Sequence, residues 1–153
     1  MNKTIGAYRL LTPMRTAGSG SARWCIAARG GERFFLKEFL APVYPPEGGD
    51  AALRRKQIER CLDFERRKRR LYIALSCVIG DTLVPVLDFF RCEGRYYAVS
   101  EEIPSPCLTG ESELHAGRRE RREILYGLAL CLQRLHVQGV VHADLKPRSE
   151  ERR

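Results

Sequence analysis

One short segment late in the chain carries side chains that could perform acid–base chemistry. Residues 142–147 have the sequence His-Ala-Asp-Leu-Lys-Pro, which places a carboxylate and an ammonium group, Asp144 and Lys146, in one loop that Pro147 stiffens. The β-branched pair Val140 and Val141 predicts a short buried strand leading into this loop. A connecting loop that only happens to hold an aspartate and a lysine is the alternative, so the rest of the chain has to provide the context.

A second set of candidate binding groups lies near the start of the chain. Strands are predicted at residues 8–11, 24–28 and 33–40, with a tight hairpin turn at Gly30-Gly31 between the last two. The small residues Gly18, Ser19 and Gly20 lie between the first two strands, where exposed backbone N–H groups could bind an anion. Lys37 on the third strand is a candidate phosphate ligand, and a strand-edge lysine that discourages edge pairing is the alternative.

Two helices and two further strands are predicted in the remaining sequence. Asp50 is the expected N-cap of a helix at 51–75, in which nine of the seventeen residues from 54 to 70 are basic. Strands are predicted at 83–90 and 95–100, joined by a turn at Glu93-Gly94. A helix that begins at Arg118 is apolar on nearly every face from 124 to 135 and ends near Gly139.

The order of these motifs across residues 8–147 resembles a eukaryotic-like serine/threonine protein kinase domain. In that family the aspartate of the catalytic loop, matched here by Asp144, accepts the proton of the hydroxyl that is phosphorylated. Lys146, two residues later, matches the serine/threonine form of the loop. The resemblance implies an α+β fold, with a kinase N-lobe of a five-stranded antiparallel sheet plus the αC helix, followed by the first helices of an incomplete, helical C-lobe.

The same resemblance implies a division of the chain into four segments. Residues 1–103 would form the N-lobe, with the glycine loop, the strand lysine and the αC helix. Residues 104–117 would be the hinge and linker, and residues 118–147 would begin the C-lobe with its central helix and catalytic loop. Residues 148–153 would be a polar tail.

The resemblance also implies a role for individual residues in binding ATP with Mg²⁺. Lys37 would pair with the α- and β-phosphates, and a helix carboxylate, Glu65 or its rival Glu59, would orient it. Either glutamate could instead pair with an arginine four residues away. The groups that would cover the phosphates are Gly18, Ser19 and Gly20, and the backbone groups of Glu101 and Ile103 would pair with adenine.

Several positions depart from the kinase pattern. Arg23 stands at the third glycine of the loop motif. Phe35, which strand alternation predicts on the same face as Lys37, replaces the small residue above adenine. Ser149 takes the place of the metal-binding asparagine, and no Asp-Phe-Gly follows it. The first hypothesis is therefore an ATP-dependent protein serine/threonine kinase in a truncated form with little activity alone, because its magnesium ligands are missing. A non-catalytic pseudokinase fragment that binds a protein partner or nucleotide is the alternative.

The composition indicates which binding partners and which cellular compartment to expect. The chain has 27 Lys and Arg against 19 Asp and Glu, but the basic residues cluster in predicted helices without interleaved aromatic residues, which favours a solvated face over a nucleic-acid surface. No apolar run reaches the roughly eighteen residues of a membrane span. Six cysteines without a Cys-x-x-Cys pair favour free thiols in the cytoplasm. A protein substrate is the expected partner, together with a protein that covers the apolar helix at 118–140.

Overall fold

In a computed structural model that describes residues 3–16, 20–77, 83–103 and 117–142, seven strands form one antiparallel sheet. The chain divides into two units, and residues 1–73 with 84–103 form the unit that holds the sheet. The spatial order of the strands is β1-β2-β4-β5-β7-β6, with β3 paired to β4. In chain order they are β1 Thr4–Ile5, β2 Tyr8–Leu10, β3 Arg15–Thr16, β4 Ala22–Arg29, β5 Glu32–Phe39, β6 Val86–Cys92 and β7 Arg95–Glu101.

The five longer strands correspond to the five that the sequence predicts. The turn at Gly30 and Gly31 has φ angles of 62° and 89°, which glycine adopts without steric cost because it lacks a Cβ. The fourth predicted strand begins later than expected, at Val86, directly after Pro85, which has no N–H to donate to a ladder. Strands β1 and β3 are two residues each and were not predicted, since so short a segment carries no readable alternation.

Helix α1 spans Ala51–Ser76 and lies close to its predicted bounds. Asp50 caps it as expected, because its Oδ1 accepts hydrogen bonds from the backbone N–H groups of Ala52, at 2.8 Å, and Leu53, at 3.2 Å. Cys61 is fully buried, and Phe64 and Tyr72 pack against side chains of the sheet. These three positions place one stripe of α1 against the sheet.

Strand alternation in β5 separates the two faces of the sheet. Phe34, Leu36 and Glu38 are buried on one face, here called the outer face. Phe35, Lys37 and Phe39 lie on the opposite face, here called the helix face because Phe39 packs with α1. The outer-face cluster consists of Ile5, Tyr8, Cys25, Ala27, Phe34, Leu36, Tyr97 and Val99, and the helix-face cluster of Phe39, Cys61, Phe89, Tyr96 and Ala98.

The second unit, residues 74–83 with 104–153, contains helix α2 at Arg118–Val137. Cys131 and Leu135 are its buried residues and pack with Leu75, Leu83, Leu132 and Val140. The helix ends at Val137, close to Gly139, near which the sequence predicts its end. The φ of Gly139 is 69°, and the N–H of Val140 donates a hydrogen bond to the carbonyl of Leu135 at 2.9 Å. No helix in the described ranges has the length and apolarity that a membrane span requires.

The strand predicted at Val140 and Val141 is wrong. Neither residue is in a strand, and 72% of Val141 is exposed. A β-branched pair forms a strand only beside a partner strand, and none of the seven strands of the described residues pairs with this segment.

Candidate nucleotide-binding face

The sequence-predicted phosphate ligand, Lys37, lies in the middle of β5 on the helix face of the sheet. Its side chain is exposed, and its Nζ is 5.4 Å from the centroid of the Phe39 ring. Within the described ranges, no carboxylate forms an ion pair with this ammonium. The ammonium is therefore available to an anion, with only the face of an aromatic ring as partial compensation.

Neither candidate helix carboxylate is paired with Lys37. Glu65 accepts hydrogen bonds from Arg69, with its Oε1 at 3.0 Å from Nε and 2.9 Å from Nη2. Glu59 forms an ion pair with Arg55 at 3.5 Å, and 65% of its side chain is exposed. Both glutamates thus take the i, i+4 arginine partners that the sequence left open as the alternative.

One α1 side chain that lies close to Lys37 is another lysine. The Nζ of Lys68 is 5.0 Å from the ring centroid of Phe39 and 5.6 Å from that of Phe64. Burial, followed by the positive charges of Lys37 and Arg67, lowers the pKa of Lys68 below its ordinary value. Sequence reasoning missed this residue, although it stands four positions after Phe64 and seven after Cys61, on the stripe that faces the sheet.

Two stacked aromatic rings occupy the same face of the sheet as Lys37. Trp24 is the register partner of Lys37 across β4 and β5, and its ring stacks on Phe35 with centroids 5.4 Å apart and an angle of 25° between the planes. Arg15 lies over the Trp24 ring at 5.7 Å. The predicted sharing of one face by Phe35 and Lys37 is therefore present, and the indole of Trp24 enlarges the aromatic surface beside the lysine.

Arg23, which stands at the third glycine of the loop motif, is on the opposite face. Its guanidinium binds Glu38, which is only 2% exposed, and Arg95 is a second partner of that carboxylate at 3.3 Å. Arg23 therefore belongs to the outer face and takes no part in the surface around Lys37.

The expected adenine-pairing segment follows directly from β7. Glu101 ends that strand opposite Phe34, and Ile103, two residues later, is 57% exposed. Glu102 between them binds Arg33, with Nη2 and Oε1 2.8 Å apart. This ion pair ties the segment to Arg33 near the start of β5, four residues before Lys37.

The remaining predicted site residues are described only in part. Gly20 has a φ of 67° and open space around it, as a glycine in an anion-binding turn requires. Gly18, Ser19, Asp144, Lys146 and Ser149 lie outside the described residues. In the ranges that are described, no three His, Cys, Asp or Glu side chains are grouped closely enough to hold a metal ion.

Comparison with known proteins places the chain beside protein kinases in sequence. No model of a known protein family matches it. It is 22% identical over 148 residues to MAP kinase-interacting serine/threonine-protein kinase 1 of Xenopus tropicalis, with 95% of this chain and 31% of that protein covered. The Xenopus laevis protein of the same name matches with the same identity and coverage. The chain therefore spans about a third of the length of the curated relatives it matches.

Solved structures of kinase domains share its fold. The Mycobacterium tuberculosis PknI kinase domain aligns with a TM-score of 0.65 at 15% identity, over 95% of this chain and 54% of that one. Rad53 in complex with AMP-PNP aligns with a TM-score of 0.63 at 19% identity, over 95% of this chain and 35% of that one. The predicted resemblance to serine/threonine kinase domains is thereby supported, and the chain has the α+β fold of a kinase N-lobe with part of a C-lobe.

Proposed function

We propose that this chain is the nucleotide-binding part of a protein serine/threonine kinase, which transfers a phosphoryl group from ATP to protein hydroxyls. The observation that carries the proposal is Lys37, an exposed ammonium in the middle of β5 with no carboxylate partner in the described residues. The kinase fold and the kinase relatives support the same function. In this role Lys37 would bind the α- and β-phosphates of ATP.

The catalytic groups proposed with Lys37 come from the other motifs. Asp144 would accept the proton of the substrate hydroxyl, and Lys146 would steady the γ-phosphate. Gly18, Ser19 and Gly20 would cover the phosphates with their backbone N–H groups. The backbone groups of Glu101 and Ile103, held near β5 by the Arg33–Glu102 ion pair, would bind adenine.

Glu65 would orient Lys37 only after a change of partner. Its carboxylate is held by Arg69 four residues later on the same helix, and 29% of its side chain is exposed. An exposed i, i+4 pair of this kind stabilises a helix by about 0.3–0.5 kcal/mol, so exchanging Arg69 for Lys37 costs little. The proposal therefore includes a switch of Glu65 between these two cations when nucleotide binds.

A non-catalytic role as a pseudokinase fragment is the second candidate. The stack of Trp24 on Phe35 favours it, because a large ring stands where the family has a small residue above the adenine, and a second ring packs against it. Lys68 favours it as well, since this α1 ammonium shares the Phe39 ring with Lys37 while Glu65 is paired with Arg69. In this role the chain would bind a protein partner or a nucleotide without transferring phosphate.

Helix α2 is the proposed contact surface for a protein partner. Leu125 and Tyr126 are 64% and 68% exposed, which is unusual for two consecutive large apolar side chains. A protein that covered them would also cover part of the helix at 118–140. A nucleic-acid partner is not proposed, because several arginines of α1 are already paired, as in Arg67 with Asp63 at 2.8 Å. The cytoplasm remains the proposed location.

One set of titrations and assays tests the proposed function. ATP binding to the full chain is measured by calorimetry, with and without Mg²⁺, for the wild type, Lys37→Met and Lys56→Met. Lys56 is an exposed lysine of α1, so its variant is a control for loss of one charge. We expect Lys37→Met to weaken ATP binding at least tenfold and Lys56→Met to leave it unchanged. Equal affinity in the wild type and Lys37→Met would overturn the proposal.

Phosphoryl transfer separates the two candidates. The chain is first extended with a kinase C-terminal lobe that supplies the missing magnesium ligands. It is then incubated with radiolabelled ATP, Mg²⁺ and a protein acceptor, and the label on serine and threonine is measured. A kinase gives transfer that Asp144→Ala abolishes. Nucleotide binding without any transfer above the Asp144→Ala background identifies the pseudokinase.

A further inference from the structure

Lys68 differs from the other basic residues in its part of α1. Residues 66–70 are five consecutive basic side chains, and Lys68 alone among them is partly buried while the other four are exposed. It stands four residues after Phe64 and four before Tyr72, both of which pack against the sheet. The helix therefore directs this one ammonium toward the helix face.

The ammonium groups of Lys68 and Lys37 meet at one aromatic ring. Their Nζ atoms lie 5.0 Å and 5.4 Å from the centroid of Phe39, which is itself 8% exposed. The lowered pKa of Lys68, caused by burial and then by the charge of Lys37, agrees with this proximity. Two like charges held beside a buried ring repel each other unless an anion joins them.

The nearby carboxylates are already occupied by arginines. Glu65 is paired with Arg69 at 2.9 Å and Asp63 with Arg67 at 2.8 Å. Glu38 neighbours Lys37 in sequence but points to the outer face. Across the described ranges no ion pair involves Lys68 or Lys37.

We propose that Lys37 and Lys68 together form a binding site for the linked phosphates of a di- or triphosphate, and that Lys68 supplies positive charge that makes this binding independent of Mg²⁺. A linked phosphate chain carries several adjacent negative charges, so it can meet both ammonium groups at once and relieve their repulsion. A single phosphate is smaller and has less charge to share between them. The inference rests on the proposed function for the identity of Lys37 as a phosphate ligand and extends it to a residue of α1.

The test uses the full chain and two probes, sodium tripolyphosphate and ATP, each titrated in EDTA and in MgCl₂. Trp24 is the only tryptophan and lies on the same face as Lys37, so its fluorescence reports binding, with calorimetry as a second measurement. We expect the wild type to bind both probes in EDTA. Tripolyphosphate binding shows that the phosphate chain is recognised, and a difference between the probes measures the contribution of the nucleoside.

Three variants isolate the contribution of Lys68. Lys68→Met should weaken binding of both probes in EDTA at least tenfold, whereas Lys68→Arg, which keeps the charge, should retain most of it. Arg70→Met removes an exposed charge two positions along the same helix and should change binding less than twofold. Melting temperatures of all variants confirm that they fold, and Lys68→Met should not melt lower, because its apolar side chain suits the rings of Phe39 and Phe64.

Two results would overturn the inference while leaving the proposed function standing. The first is ATP binding that requires Mg²⁺ and is lost in Lys37→Met but not in Lys68→Met. The second is tripolyphosphate binding in EDTA that is equal in the wild type and Lys68→Met. Failure of both probes to bind under any condition would instead count against the inference and the proposed function together.

Discussion

Arg23 and Glu38 face each other across β4 and β5, and their side chains are joined by two hydrogen bonds. Nε donates to Oε2 at 2.8 Å and Nη2 donates to Oε1 at 3.0 Å. The carboxylate is 2% exposed, whereas the Arg23 side chain is 40% exposed and that of Arg95, the second partner, is 37% exposed. The pair thus consists of a buried anion and cations that remain in contact with water.

This asymmetry predicts different costs for removing each partner. Arg23→Ala leaves a buried carboxylate with one guanidinium, and we expect it to lower the free energy of unfolding by about 2–4 kcal/mol. Glu38→Gln leaves two arginines that can hydrate, so about 1–3 kcal/mol is expected. Urea unfolding measures both, and Glu32→Gln at the exposed start of β5 is the control. A larger cost for Glu38→Gln than for Arg23→Ala would contradict the argument.

Tyr97 predicts a loss of stability in alkaline solution. Burial, with the negative charge of Glu38 as the next cause, raises the pKa of Tyr97 to about 12, against about 10 in an unfolded chain. Below about pH 10 both states keep the proton, and between about pH 10 and 12 only the unfolded state loses it. The free energy of unfolding should therefore fall by about 1.4 kcal/mol per pH unit from this residue in that window.

The variant Tyr97→Phe should remove this share of the pH dependence. Unfolding by urea is measured at pH 9 to 12 for Tyr97→Phe, the wild type and Tyr126→Phe, whose ring is 68% exposed. Other buried tyrosines, such as Tyr8 and Tyr96, act in the same direction, so the comparison rests on the difference between slopes. A slope in Tyr97→Phe equal to that of the wild type would refute the assignment.

We predict that the thiols of Cys25 and Cys77 differ strongly in reactivity. Cys25 is fully buried, and burial raises its pKa to about 11, while Cys77 is exposed after the end of α1. At pH 8 iodoacetamide should modify Cys77 at least about a hundredfold faster than Cys25, since the reactive thiolate must be both formed and accessible. Mass spectrometry of peptides measures the two rates, and in denaturant they should converge. Comparable rates in the native chain would show that β4 opens readily.

We predict that removing the ring of Phe35 changes the affinity of the chain for the nucleoside part of ATP. Phe35→Ala removes the ring that stacks on Trp24, so we expect it to strengthen ATP binding roughly tenfold, or 1.4 kcal/mol, by opening the surface above the adenine. Tripolyphosphate binding should not change, because the proposed phosphate ligand is Lys37. Parallel calorimetric titrations with the two probes measure this. Weaker ATP binding in Phe35→Ala would mean that the ring supports the base by stacking.

The sequence predicts well those elements that depend on interactions between neighbouring residues. Asp50 caps α1 and the glycines at 30 and 31 form the predicted turn, because each depends on one or two side chains and their own backbone. Strand alternation also predicted that Phe35 and Lys37 share a face. The strand at Val140 and Val141 failed because it requires a partner that local sequence does not specify.

The rotation of α1 about its axis could not be predicted in the same way. Glu65 and Lys68 are both near the apolar stripe, and a modest rotation decides which of them approaches Lys37. That rotation is set by packing of Cys61 and Phe64 against the sheet, a long-range property. The sequence therefore predicts Lys37 as a candidate phosphate ligand but gives no indication that Lys68 approaches the same ring of Phe39.

The alternation of Lys37 and Glu38 along β5 has a consequence for changes in chain length. One extra residue in the turn at 30–31 would shift the register of β5 by one and exchange the two faces. The carboxylate of Glu38 would then lie near Lys68, and the ammonium of Lys37 would enter the buried cluster around Tyr97. Insertions at this turn should therefore destabilise the fold far more than substitutions there. The loop at 41–49 follows β5, so a change in its length leaves the charge on each face of the strand unchanged.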